Sequence, residues 1–188
     1  MMYILGSREY FEEIPIKPYF LQKPNPFFDD RGMFMRLLDV NQNPFEVNQV
    51  NVSVTFGKGT TRGMHFLRGQ HSEKKIVTVV HGEIQDIVVD VDSESQDFCR
   101  VYSFEMNPRS DALLIPPKFA HGFQVLSDIA IVSYSVDKPY RNEADSGISP
   151  YSPLLINEWK LPILMTSDRD KHLPDYPDSE LFKKCPCC

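Results

Sequence analysis

At 188 residues, 41% hydrophobic and 24% charged, the chain is long enough for one sizeable core and has the balance of an ordinary globular domain. A formal net charge of −6 argues against nucleic acid, which calls for a basic face, but leaves room for a small anionic ligand held by a local cluster of cations. No apolar run is long enough to span a membrane and Met1 to Leu5 lacks the basic start of a signal peptide, so the expectation is a cytosolic protein without a membrane partner.

Residues 1–26 read as an irregular, aromatic- and proline-rich arm, because Pro15, Pro18, Pro24 and Pro26 break any helix. One short strand fits around Ile14 to Phe20, and such a strand often pairs with a neighbouring subunit's sheet. Phe27 to Gly32 reads as a turn in which Gly32 takes the unusual backbone angle, and Met33 to Val40 as the strand that follows. From Phe45 the alternation is that of a strand, with Gln49, Asn51 and Ser53 on one face and Val50, Val52 and Val54 on the other. Gln49 and Asn51 therefore point together towards an interior or a cavity.

Thr60 to Leu67 is the next expected strand, followed by a hairpin of Lys75 to Val80 and Ile84 to Val91 turning at His81-Gly82. Its β-branched residues lie on both faces, which implies a sandwich or closed barrel with both faces covered. Val101 to Met106, Ala112 to Ile115, Gly122 to Leu126 and Ala130 to Val136 complete the strands; only Leu154 to Trp159 and the extreme end have room for short helices. The pattern describes a single all-β domain over 1–188 whose last thirty residues wrap the barrel, with an irregular tail over 171–188. Cys185, Cys187 and Cys188 crowd that tail without a second pair at zinc-ligand spacing, so a frayed end is the reading; Cys99 reads as a core thiol.

Two histidines sit inside these apolar strands, His65 in Arg62-Gly63-Met64-His65-Phe66 and His121 in Lys118-Phe119-Ala120-His121-Gly122-Phe123. Strict alternation puts Gly63, His65 and Leu67 on one face and Arg62, Met64 and Phe66 on the other, while Lys75 and Tyr134 share faces with apolar neighbours. Each alone reads as a satisfied core or rim residue. Burying Arg62, His65, Lys75 and His121 together would cost several kcal/mol without partners, so their joint occurrence points to a lined pocket. Two chemistries suit such a set. A metal site could use His65, His121 and Glu73, but Leu67 stands where a second histidine of a His-x-His pair would be, and Lys74 and Lys75 beside Glu73 would repel a cation. The other is metal-free proton abstraction beside a carbonyl. Histidine is the base, tyrosine the acid on the opposite face and lysine the enolate partner. A metal-dependent enzyme and a non-catalytic sugar-binding barrel remain the readings from other classes.

Over about Phe27 to Asp170 the chain resembles the dTDP-4-dehydrorhamnose 3,5-epimerase family. The residues that carry the resemblance are Phe28-Asp29-Asp30-Arg31-Gly32-Met33-Phe34, Gln49-Val50-Asn51-Val52-Ser53, Arg62 to Phe66, Lys75-Ile76-Val77, Asp86 to Asp90, Ile115 to Phe123, Tyr134, and Pro162 through Asp168. The resemblance implies a double-stranded β-helix jelly roll of the cupin type, a homodimer, and a cofactor-free reaction on a nucleotide-diphosphate sugar, inverting C3 and C5 of a 4-keto-6-deoxyhexose. In that frame His65 is the base, Asp168 its carboxylate partner, Tyr134 the acid and Lys75 the enolate stabiliser. Arg31, Arg62 and His121 fall at the phosphates and nucleotide, Gln49 and Asn51 at the nucleotide and sugar, Tyr140 against the base, and Asp145 at a binding position usually held by Glu. Arg36 also stands where the family usually has Glu, and Thr78 where Arg is common; inversion of one carbon, or a keto-isomerisation through the same enolate, stays open.

Overall fold

The computed structural model describes residues 17–23, 25–39 and 43–175. Within them two five-stranded antiparallel sheets pack face to face. The first runs β1 (Tyr19–Leu21), β9 (Ala112–Ile115), β6 (Lys75–His81), β11 (Ile129–Val136) and β4 (Gln49–Phe56). The second runs β12 (Asp145–Gly147), β5 (Thr61–Leu67), β10 (Phe119–Val125), β7 (Ile84–Asp90) and β8 (Val101–Met106). A separate hairpin joins β2 (Phe27–Asp29) to β3 (Gly32–Phe34), and a single four-residue helix, α1, covers Asp168–Lys171. This is the two-layer all-β architecture that the short, turn-punctuated strands imply, and the jelly roll that the family resemblance implies.

Alternation along the strands divides the apolar residues among three layers. Between the sheets, Val77 and Val79 of β6, Leu113 and Ile115 of β9 and Val132 of β11 meet Ile84 and Val88 of β7 and Phe119, Phe123 and Val125 of β10. On the outer face of the second sheet, Met64, Ile87, Val89 and Ala120 are covered by Ile148, Leu155 and Trp159. On the outer face of the first, Ile76, Ala112 and Leu114 pack with Phe45 and the half-buried Tyr19 and Leu21. Each fully buried side chain of this kind stabilises the fold by about 1.5–3 kcal/mol before entropic costs. The outer face of β4 differs: Val50, Val52, Val54 and Phe56 are 45–64% exposed.

Two local expectations change and a third is made specific. β1 pairs with β9 of its own chain, Tyr19 opposite Leu114; the rest of the Ile14 to Phe20 stretch before Lys17 lies outside the described residues, as does the tail from residue 176 with its cysteines. The strand expected over Met33 to Val40 ends at Phe34, because among the described residues β3 pairs only with β2 and residues 35–39 have no neighbouring strand to bond; Val40 lies outside the described residues. Leu154 to Trp159 forms turns and no helix: Leu155 N–H donates to Ser152 O and Glu158 N–H to Leu155 O. Burial of Leu155 and Trp159 on the sheet, with Trp159 Nε1–H donating to Pro150 O at 2.9 Å, pins the segment against the strands.

The chain then returns as a strap held by two glutamines. Gln85 donates to Glu158 O and accepts from Lys160 N–H, while Gln124 donates to Leu161 O and accepts from Leu161 N–H, at 2.7–2.9 Å. Both side chains are buried, and each satisfies the strap's backbone as another strand would. Thr60 bridges Met165 in parallel. This strap delivers α1 to the open end of the barrel.

Candidate active site

A cavity of about 350 Å³ opens at that end, lined from both sheets. β4 contributes Gln49, Asn51 and Ser53, as alternation predicts; β6 and β11 contribute Lys75 and Tyr134; β5 and β10 contribute Arg62, His65 and His121. Tyr140, Asp145, Ser167, Arg169 and Asp170 close the rim.

Arg62 and His65 reach the same cavity although strict alternation puts them on opposite faces. His121 lies opposite His65 while Phe123 lies opposite Arg62, so three steps along β5 match two along β10 and one extra residue is accommodated. Gly63 makes this possible. Its φ is +111°, and a Cβ there would lie 2.6 Å from the Gly122 Cα. A glycine inside a strand pattern was the signal in the sequence for this bulge.

Asp170, not Asp168, stands against His65. Asp170 Oδ1 lies 2.7 Å from His65 Nε2, and Oδ2 accepts the Gly63 N–H at 3.1 Å. Asp168 is 91% exposed and pairs with Lys171. The reason is helical geometry: Ser167 caps α1, its Oγ accepting the Asp170 N–H at 3.0 Å, and two residues along a helix is about 200° round its axis, so Asp168 and Asp170 face opposite ways. The Ser-x-x-Asp spacing marks a helix N-terminus in the sequence, but which carboxylate then meets His65 is decided by the rotation of that turn in the fold. Burial pushes the Asp170 carboxyl up, but the hydrogen bond and charge of His65, with the Gly63 amide and Ser167, hold it below the ordinary carboxylate range.

His121 has a carboxylate partner of its own, absent from the sequence reading: Nε2 lies 2.8 Å from Oδ2 of the fully buried Asp86. Glu73, which a metal reading needs as third ligand, instead pairs with Lys75 at 3.1 Å, and among the described residues no three His, Cys, Asp or Glu side chains are grouped to hold a metal ion. Burial, then the charge of Glu73, raise the Tyr134 phenol, with Arg62 opposing. At the rim Gln49 donates to Asn51 at 2.8 Å and accepts the Tyr140 N–H, while Asp145 accepts from the Tyr140 hydroxyl at 3.0 Å and pairs with Arg169.

The expected Arg31 and the two departures from the family pattern, Arg36 and Thr78, do not line the cavity of this chain. Arg31 is exposed at the tip of the β2–β3 hairpin, paired with Asp29, and Arg36 lies beside Asp39 at 3.4 Å. Thr78 is buried within β6 and does not line the cavity.

The sequence model of the dTDP-4-dehydrorhamnose 3,5-epimerase family matches residues 13–178. The chain belongs to that family. It is an isomerase of the epimerase class, on a cupin-like jelly roll. The dTDP-4-dehydrorhamnose 3,5-epimerase of Escherichia coli is 33% identical over 168 residues, spanning 84% of this chain and 89% of its own. Among solved structures, the Legionella pneumophila 3,5-epimerase in complex with dTDP-4-keto-L-rhamnose superposes with a TM-score of 0.73 at 28% identity, covering 85% of this chain and 89% of that one. ChmJ, a 3'-monoepimerase from Streptomyces bikiniensis in complex with dTDP-quinovose, superposes with a TM-score of 0.75 at 26% identity, covering 89% of this chain and 88% of that one.

Proposed function

We propose that the protein inverts C3 and C5 of a dTDP-linked 4-keto-6-deoxyhexose in deoxysugar biosynthesis, by deprotonation and reprotonation beside the C4 ketone. The observation that carries this reading is the His65–Asp170 pair on the second sheet, set in one cavity with Lys75 and Tyr134 of the first. Asp170 holds one imidazole nitrogen, which orients the ring and stabilises the imidazolium that forms when the other takes a proton from carbon. Electrons from the broken C–H bond move into the C4 carbonyl, and the Lys75 ammonium stabilises the enolate oxygen. Tyr134, kept protonated by its surroundings, returns a proton to the opposite face, and solvent resets both groups. C3 and C5 both flank C4, so one constellation serves both carbons.

Arg62, His121, Gln49, Asn51, Tyr140 and Asp145 surround the remaining space and suit the diphosphate, sugar and base. Arg31 joins them only from a second copy of the chain. The exposed apolar face of β4 and the β2–β3 hairpin, with Phe27, Phe28 and Phe34 all exposed, support a homodimer in which the hairpin crosses to the partner's cavity. A nucleotide-sugar substrate also suits the cytosolic setting expected from the sequence.

The test is incubation with dTDP-4-keto-6-deoxyglucose in heavy water, followed by NMR. Deuterium at C3 and C5 with inversion is the expected result. Exchange confined to one carbon would align the protein with the monoepimerase relative, and no exchange would sink the activity on this substrate. His65→Ala is expected to abolish exchange at both carbons; retained exchange would remove His65 as the base.

A further inference from the structure

The catalytic pocket contains a carboxylate that the reaction as written does not use. Glu73 lies in the loop ahead of β6, two residues before Lys75. Its Oε1 is 3.1 Å from the Lys75 Nζ, and the two side chains are only 11% and 10% exposed. The loop is held from three directions: Lys138 Nζ donates to Gln70 O and Ser72 O, Lys118 N–H donates to Ser72 Oγ, and Lys74 N–H donates to Asp137 Oδ1, at 2.6–2.8 Å. A backbone so fixed aims the Glu73 side chain at the cavity. Surface ion pairs contribute little, but a pair this sheltered carries a desolvation cost that only good geometry offsets. Such a pair in a cavity wall sets the position of its cation.

We propose that Glu73 is a positioning residue of the epimerisation site, whose carboxylate anchors the Lys75 ammonium where the enolate oxygen develops and sets one negative charge in the wall of the cavity that also holds the Tyr134 acid. The inference rests on the reaction proposed above. The groups facing the Tyr134 phenol are few. From β5 come Arg62 and His65, from β10 His121, and from β6 Lys75; its neighbours on β4 are the neutral Gln49 and Asn51. Asp145, Arg169 and Asp170 stand at the rim. After burial, Glu73 is the largest influence raising the phenol, and Arg62 acts against it. One side chain thus couples the cation that stabilises the intermediate to the acid that quenches it.

Glu73→Gln keeps the shape and a hydrogen-bond acceptor for Lys75 while removing the charge. Two readouts test it. With tyrosine labelled at the ring ζ carbon and the Tyr134 resonance assigned by its loss in Tyr134→Phe, the Tyr134 titration midpoint is expected to fall by roughly 0.5–1 pH unit in Glu73→Gln, and Glu73→Asp to restore most of it. The alkaline limb of the pH–rate profile for epimerisation is expected to move to lower pH by a similar amount, the acid limb staying in place. An unmoved midpoint in Glu73→Gln overturns the inference, because a purely structural Glu73 would leave it unchanged. The titration needs no substrate, so failure of the wild-type protein to exchange deuterium sinks the proposed reaction alone, while exchange with an unmoved midpoint sinks the role of Glu73 alone.

Discussion

At His65 the chemistry is decided by what touches one edge of the ring. An isolated imidazole in a strand is an indifferent base; one held by a buried carboxylate at 2.7 Å has a set orientation and a stabilised cation. Asp170→Asn is therefore expected to lower kcat on the order of 10³–10⁴-fold, whereas Asp168→Asn leaves it within about twofold, since an exposed ion pair has little influence; steady-state assays of the two variants decide between the carboxylates. Stability should follow the same residue. Because the folded-state pKa of Asp170 is lowered, its contribution is fully present above the unfolded value near pH 4 and is lost as pH falls through the folded value. Asp170→Asn is expected to cost about 1–3 kcal/mol at pH 7, and the gap to wild type to close below about pH 4 in denaturant titrations.

At the scale of the element, β5 is the strand on which the site depends. The bulge opposite His121 and Phe123 puts Arg62 and His65 into one cavity, and it exists because two glycines, Gly63 and Gly122, meet without side chains. Gly63→Ala would force a Cβ to within 2.8 Å of the His121 carbonyl oxygen at a positive φ. The expected result is a loss of about 2–4 kcal/mol of stability together with a drop in kcat, as β5 and β10 move apart and the two histidines lose register. A variant with wild-type melting temperature and rate would show that the bulge is not under this constraint. The strap is the second such element, since Gln85 and Gln124 carry it to the sheet and α1 rides on its end.

For the molecule as a whole, the exposed apolar face of β4 is the surface that the proposed homodimer would cover. Among the described residues the first sheet has apolar cover over β1, β9 and β6 but none over β4, and the exposed hairpin holds Arg31 away from its own chain's cavity. The homodimer proposed above would resolve both. Val52→Glu places a charge at the centre of the exposed valine row and is expected to shift the sedimenting species towards the 21.7 kDa monomer, with reduced activity as Arg31 is lost from the partner's site. A monomeric wild-type protein with full activity would overturn this arrangement.

The strand pattern, the two-layer β architecture and the polar set of Gln49, Asn51, Lys75 and Tyr134 were legible in the sequence, because period-two alternation acts locally and decides which side chains share a face. So was the family, through the ordered motifs around His65, Lys75 and Tyr134, and with it the epimerase class of the reaction. Pairings across long stretches of chain were not. Asp170 and Asp168 are equal candidates in one dimension; only the rotation of a single helical turn, fixed by the Ser167 cap and the strap behind it, turns one carboxylate to His65 and the other to solvent. Asp86 beside His121 and Glu73 beside Lys75 came from the same source, contacts set by sheet register and a pinned loop. Most telling is the pairing of Arg62 with His65. Alternation alone separates them, and the extra residue that reunites them depends on how closely β5 and β10 can approach in the folded barrel.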